Sequence, residues 1–131
     1  MTSNDWQILI DSALAARTRA YVPYSKFQVG AALMADDGEI FLGCNVENAS
    51  YGMTICAERS AVFTAVTAGQ RKFRAIAIAT PGGHAPCGAC RQVLAEFGDD
   101  LPVLLIDTDQ PTKVVEVSLK QMLPGVFRFP E

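Results

Sequence analysis

The first twenty residues carry apolar side chains at the spacing of an α-helix. The apolar positions recur three and four residues apart, at Trp6, Leu9, Ile10, Ala13, Leu14 and Ala16. Positions with that period share one face of a helix, so the pattern predicts an amphipathic helix over about 4–20. We expect Ser3 to cap its N-terminus and Pro23 to close off the segment.

The next segment has the pattern of a β-hairpin. Two strand-like runs, 27–35 and 39–46, flank Asp36, Asp37 and Gly38. Aspartate followed by glycine is typical of a tight hairpin turn, so the two runs are expected to pair in antiparallel fashion.

The second half of the chain predicts helices and strands in alternation. A run of helix formers over 54–68 stops at Gly69, a natural C-terminal residue for a helix. Two short apolar runs, 74–80 and 102–107, have the form of strands covered on both faces. A helical segment over 88–97 separates them. This part of the chain therefore predicts a β-α-β unit.

A last strand over 114–117 and a short helix over 118–122 complete the predicted order. Ser118 can cap that helix, and Pro124 with Gly125 breaks it. The elements predict an α/β fold in which a mixed sheet lies between helices. The length of 131 residues fits a single domain, 1–131.

Composition and charge narrow the function classes. The chain is 50% hydrophobic and 19% charged, and no apolar run is long enough to span a membrane. The N-terminus has no basic stretch followed by an apolar core, so we expect a cytoplasmic protein. The net charge of −3 argues against a nucleic-acid backbone as the partner, because phosphate contacts need clustered cations. A small-molecule substrate is expected.

Three of the four cysteines lie in two short motifs that suit a metal. One motif is Cys56-Ala57-Glu58, and the other is Pro86-Cys87-Gly88-Ala89-Cys90. In a reducing compartment, such cysteines are expected to bind metal rather than form disulfides. Three thiolates would leave the fourth position of a zinc ion to water, whose pKa falls to about 7. Zinc-dependent base deaminases have the same pattern except that a His stands at the position of Cys56. In that pattern the Glu is not a metal ligand.

The residues leave three points open: whether the zinc has a fourth protein ligand, whether Glu58 reaches the metal site, and what Arg59 does. His84 or Cys44 could supply a fourth ligand and make the zinc purely structural. Residues two apart on a regular helix also lie about 200° apart, so the spacing alone does not bring Glu58 to Cys56. Arg59 is a candidate to hydrogen-bond the thiolates and offset their charge, or else an ordinary exposed helical arginine.

Five blocks resemble the zinc-dependent, homotetrameric cytidine deaminases of nucleoside salvage, and the match covers nearly the whole chain. The blocks are 24–33, 43–51, 56–59, 86–93 and 123–127. The resemblance implies a three-layer α/β/α fold with a five-stranded mixed sheet. It also implies hydrolytic deamination of cytidine and deoxycytidine to uridine and deoxyuridine with release of ammonia.

The resemblance further implies roles for individual residues. Cys56, Cys87 and Cys90 would hold one Zn²⁺ per subunit. Glu58 would take a proton from the zinc-bound water, deliver it to N3 of cytosine, and then help protonate the leaving amino group. The backbone of Ala57 and of Cys87 would contact the base edge.

Other matching positions are implied to bind the sugar or to reach an adjacent site. Asn45 and Glu47 would contact the ribose 3′-hydroxyl, and Phe27 would pack beside the nucleoside. Phe127 would stack on the base in a neighbouring subunit, while Ala49 and Tyr51 would reach an adjacent site near the 5′-hydroxyl. Without the resemblance, Phe27 would be assigned to the core, and Asn45 and Glu47 to a strand end that faces water.

Three other functions are compatible with parts of this pattern. A deaminase of bases within nucleic acid would share the zinc chemistry, but the acidic balance, Cys56, and the Asn45 and Glu47 pair count against it. A deaminase of other aminopyrimidine nucleosides would differ mainly in its contacts with the sugar. A zinc-stabilised structural or binding module would require a closed coordination shell.

Overall fold

The computed structural model describes residues 1–98 and 100–130. The helices are α1 (Ser3–Arg17), α2 (Ala57–Thr67), α3 (Gly88–Ala95) and α4 (Leu119–Met122). The strands are β1 (Gly30–Ala35), β2 (Ile40–Cys44), β3 (Phe73–Thr80), β4 (Pro102–Asp107) and β5 (Val114–Ser118). This is the predicted order of elements, with a short 3-10 turn added at Tyr51–Met53.

The strands form one five-stranded mixed sheet in the order β2-β1-β3-β4-β5. β1 pairs with β2 and with β3 in antiparallel fashion, and β5 pairs with β4 in the same way. Only β3 and β4 run parallel among these pairs, with α3 as the connection between them. The predicted hairpin and β-α-β unit are therefore confirmed.

Two cores lie on opposite faces of the sheet, because successive strand residues point to opposite sides. On one face, Leu33 and Ile76 pack against Val62 of α2 and Leu94 of α3. On the other face, α1 contributes Leu9 and Ala13 to a second core of sheet alanines and aliphatic residues. Helices thus cover both faces, and the expected three-layer α/β/α arrangement is confirmed.

Helix α1 differs from the prediction at both ends. Its N-cap is Thr2, not Ser3, because the Thr2 hydroxyl accepts from the Asp5 backbone N–H while the Asp5 carboxylate accepts from the Thr2 N–H. This reciprocal capping box gives hydrogen-bond partners to two backbone N–H groups at the start of the helix, which have none within the helix itself. The helix ends at Arg17, well before Pro23, so the proline does not terminate it.

Other element boundaries also shift. β1 begins at Gly30, not at Phe27, because the residues just before it bond to the side chain and backbone of Asn45, which lies outside β2. The strand over 39–46 contracts to Ile40–Cys44, and the helix over 88–97 ends at Ala95. α2 begins at Ala57 rather than at 54, so Cys56 is its N-cap and not a residue of its first turn.

Two strand glycines let helices approach the sheet closely. A Cβ on Gly30 would meet the backbone of α1 at Ala13 and Arg17. A Cβ on Gly43 would meet the backbone of α2 at Ala57 and Ala61. The second contact presses the start of α2 onto β2 and so fixes where Cys56 lies. No helix in the described ranges is long and apolar enough to cross a membrane.

Candidate active site

The sulfur atoms of three cysteines converge where two helices begin. Cys56 is the N-cap of α2 and Cys87 is the N-cap of α3, and both have extended backbone conformations. Cys90 lies in the first turn of α3 and is fully buried. All three Sγ atoms lie within 4.8 Å of one another, and those of Cys87 and Cys90 are 3.5 Å apart.

This geometry fits a zinc ion. Tetrahedral zinc with sulfur bonds of about 2.3 Å holds its sulfurs about 3.8 Å apart, so small movements would complete the site. Among the residues that the structure describes, neither Cys44 nor His84 belongs to the cluster. The cluster therefore offers three protein ligands, as in catalytic zinc sites, and does not form the closed four-ligand set of a structural site.

Electrostatics prepare the sulfurs for a cation. The Cys56 sulfur accepts hydrogen bonds from Cys90 and Arg59, which lowers the pKa of the Cys56 thiol to about 5. The same interaction, with burial, raises the pKa of the Cys90 thiol. These contacts favour the thiolate form of Cys56, and a metal would displace the remaining thiol protons.

Arg59 lies against this cluster instead of pointing into solvent. Its Nη2 donates to Cys56 Sγ at 3.4 Å, and its side chain is half-buried. Its Nε is buried and has no hydrogen-bond partner among the described residues. The guanidinium therefore places a fixed positive charge beside the sulfurs.

Glu58 shares a cleft with Cys56 although it is only two residues from it. The spacing permits this because Cys56 is extended and lies outside the helix, whereas Glu58 is in its first turn. The Glu58 side chain is only 5% exposed. Burial, with the nearby negative charge of Cys56, raises the pKa of its carboxyl group. A carboxyl group whose pKa is raised holds a proton more readily, which suits a group that accepts a proton and then returns it.

The cleft above Glu58 has a volume of about 240 Å³. Phe27, Asn45, Cys56, Ala57 and Glu58 line it, and all were singled out in the sequence. Apolar side chains form most of the remaining wall. They are Val29, Ile55, Ile78 and Ala85.

Asn45 and Glu47 face a loop of the protein instead of water. The Asn45 amide oxygen accepts from Val29 N–H at 2.9 Å, and its Nδ2 donates to the Phe27 carbonyl at 2.8 Å. Glu47 accepts from the backbone N–H groups of Tyr24 and Ser25 at 3.0 and 3.1 Å. These bonds, with the Ser25 hydroxyl first, lower the pKa of the Glu47 carboxyl.

Some predicted residues lie away from the cleft. Glu47 and Tyr51 line a neighbouring depression, and Thr54 lines both hollows. Tyr51 is 78% exposed and Phe127 is 67% exposed. Ala49 is also exposed and lines neither hollow. This chain alone does not bring Ala49, Tyr51 or Phe127 to the cysteine cluster.

Sequence reasoning missed two polar residues of the wall, Thr54 and Thr80. It considered His84 only as a ligand, although His84 also lines the cleft. Thr80 could have been found from its place at the end of a predicted parallel strand, because ligand sites of α/β sheets form at such ends. Thr54 carried no comparable signal.

Comparisons with known proteins agree with this site. Residues 3–105 match the family model of the cytidine and deoxycytidylate deaminase zinc-binding region. A cytidine deaminase of Sporosarcina psychrophila is 52% identical over 94% of this chain and 91% of its own length. One from Halalkalibacterium halodurans is 49% identical over 94% of both chains.

A solved structure shows the same fold. The cytidine deaminase of Burkholderia pseudomallei superimposes with a TM-score of 0.88 at 50% identity, over 97% of this chain and all of the other. The family model, these relatives and the three-cysteine cluster agree, and the chain belongs to the zinc-binding cytidine deaminase family of hydrolases.

Proposed function

We propose that this protein catalyses the hydrolytic deamination of cytidine and deoxycytidine to uridine and deoxyuridine, with release of ammonia. The observation that carries the proposal is that the buried Glu58 lines one cleft together with Cys56, a member of the three-cysteine cluster. Cys56, Cys87 and Cys90 would hold one Zn²⁺ per subunit. When bound, that ion lowers the pKa of a coordinated water towards neutrality.

Glu58 moves the protons of the reaction in this proposal. Its carboxylate takes one proton from the attacking water and delivers it to N3 of the cytosine ring. It then takes the proton of the new hydroxyl group at C4 and gives it to the amino group, which leaves as ammonia as the C4–O double bond forms. Burial supports this role, because a carboxyl with a raised pKa holds the proton between the two transfers. Water supplies the oxygen at C4 of the product, and the carboxylate is regenerated.

Other residues would position the nucleoside. The start of α2 offers the Ala57 backbone, and the start of α3 offers that of Cys87, to the edge of the base. Phe27 packs beside the nucleoside, and Asn45 and Glu47 meet the ribose 3′-hydroxyl. Asn45 retains one donor hydrogen and one lone pair beyond its two loop contacts, so it can bind a hydroxyl as well.

We also propose that the protein works as a homotetramer in the cytoplasm, in pyrimidine salvage. Large apolar side chains on its surface support self-association. They include Tyr51, Met53, Phe63, Phe127 and Phe129. Ala49, Tyr51 and Phe127 lie away from their own cleft, and would contribute to a neighbouring subunit's site. Arg59 would balance the charge of the thiolates, and the free thiols suit a reducing compartment.

The first experiment follows the ultraviolet spectrum of cytidine and deoxycytidine with zinc-loaded protein, with Glu58→Gln as the control. Conversion to the uracil product by the wild type alone supports the proposal. No conversion despite bound zinc would contradict it, and would favour another aminopyrimidine nucleoside as substrate. A cytosine-containing oligonucleotide, run in parallel, tests the nucleic-acid alternative.

Metal analysis addresses the structural-zinc alternative. If the cluster is complete with three cysteines, Cys44→Ser and His84→Ala keep their zinc. Loss of zinc in either variant would reveal a fourth protein ligand and a closed site. Sedimentation of the purified protein measures its subunit number directly.

A further inference from the structure

The loop before Cys87 brings an imidazole to the cleft that the proposed mechanism does not use. His84 lines the same cleft as Glu58 and Asn45, yet it lies outside the sulfur cluster. Its ring centroid is 6.2 Å from that of Phe27, with the two rings tilted by 40°. The two rings are therefore at the separation of interacting aromatic pairs and form one continuous wall.

Buried side chains hold this loop in place. The Thr80 hydroxyl accepts from the His84 backbone N–H at 2.7 Å, and Thr80 is only 4% exposed. Asp107 accepts from the backbone N–H groups of Gly82 and Asp109, both at 2.9 Å. Thr80 and Asp107 are paired residues at the parallel ends of β3 and β4, so the loop is anchored to the sheet at two points.

Two glycines shape the loop around the imidazole. Gly82 and Gly83 have φ values of 87° and 67°, a backbone region that glycine adopts without strain. A Cβ on Gly82 would lie 2.8 Å from His84 Nε2, so the missing side chain also makes room for the ring. The loop backbone thus places His84 beside Phe27 at the cleft.

The depth of the cleft indicates which part of a substrate His84 would meet. Glu58 and Cys90 are buried, and the reacting carbon of the base must lie beside this buried end of the site. His84 is exposed, at the open end with Phe27. The part of a nucleoside that lies farthest from C4 of cytosine is the sugar.

From this arrangement we infer that His84 is a specificity-determining residue whose imidazole hydrogen-bonds a sugar hydroxyl of the nucleoside. The inference rests on the proposed function. An imidazole can donate through one ring nitrogen and accept through the other, so it suits a hydroxyl group. Thr80 and Asp107 are then positioning residues, which act through the loop.

The test measures kcat and KM for cytidine in His84→Ala and His84→Gln. Loss of one hydrogen bond between neutral groups is expected to raise KM about fivefold to tenfold in His84→Ala, with kcat changed less than about twofold. His84→Gln, which keeps a donor and an acceptor, should recover part of that loss. Gln110→Ala is the matched control, because Gln110 is exposed and follows β4 in the chain. This variant should behave as wild type.

Cytidine analogues that each lack one sugar hydroxyl, at the 2′, 3′ or 5′ position, identify the contact. The penalty of His84→Ala should disappear with one of them and persist with the others. An equal penalty with all three, or an unchanged KM in a variant of an active wild type, overturns the inference alone. A wild type that turns over none of these nucleosides overturns the proposed function, and this inference with it.

Discussion

The floor and the rim of the cleft are built in different ways. The floor comprises Cys56 and Glu58, which line the cleft, and the neighbouring Cys90, and these residues lie at the N-termini of two helices packed on the sheet. The rim comprises Phe27, Asn45 and His84, all of which lie outside the helices and strands. The floor is buried or half-buried, whereas Phe27 and His84 are exposed.

The two regions also differ in what holds them. The floor is made of two short motifs, since Glu58 is two residues from Cys56 and Cys90 is three from Cys87, and the starts of α2 and α3 bring these motifs together. Side-chain to backbone hydrogen bonds hold the rim, and they join residues as far apart as Phe27 and Asn45. The floor holds the groups proposed to carry out the chemistry, so we expect substitutions there to change kcat. The rim residues are proposed to contact the nucleoside, so we expect substitutions there to change KM.

The largest effect is expected from Glu58→Gln in the floor. One carboxyl is proposed to make every proton transfer, and general acid–base catalysis contributes about 10²-fold to 10⁴-fold, so kcat should fall by about 10³-fold or more. Steady-state assays with metal analysis check this. A fall of less than tenfold in zinc-loaded protein would mean that another group transfers the protons.

Arg59→Gln tests whether the positive charge of Arg59 offsets the negative charge of the thiolates in the floor. Removing the cation leaves the thiolates with more uncompensated negative charge, which disfavours loss of a further proton at the site. We expect kcat at pH 7 to fall about tenfold, with the acid limb of the pH–rate profile moved to higher pH. An unchanged profile would show that the contact with Cys56 Sγ does not tune the chemistry.

Asn45→Ala tests the rim. It removes the bonds that hold Phe27 and Val29, each worth about 1 kcal/mol, so KM should rise about tenfold with a smaller change in kcat. Kinetics on cytidine check this, with Asn4→Ala as control because that exposed amide lies on α1, across the sheet. A fall in kcat alone would remove the distinction between rim and floor.

The smallest effect concerns Asp107, which anchors the rim loop. Backbone N–H groups of Asp109 and Gly82 hold the pKa of its carboxyl below the usual value. Its contribution to stability is therefore present above the unfolded pKa of about 3.9, and is lost as pH falls through the lower folded value.

Asp107→Asn should consequently lower the melting temperature at neutral pH and match the wild type more closely below about pH 4. Thermal unfolding of both proteins across that range, at equal zinc content, measures the difference. A gap that stays constant with pH would show that the charge of Asp107 is not what anchors the loop.

The sequence by itself determined the order of elements, the β-α-β unit and the group of candidate metal ligands. Hydrophobic periodicity and the two cysteine motifs are local signals, so they survive without a structure. The resemblance added the three-layer arrangement and the family, and both hold.

The tertiary structure decided what depends on distant contacts. It moved Cys56 out of α2, which is why Cys56 and Glu58 reach one cleft. It turned Asn45 towards the loop before β1, and it set His84 against Phe27 through Thr80. These placements arise from hydrogen bonds and packing between residues remote in sequence, for which no local pattern in the chain exists.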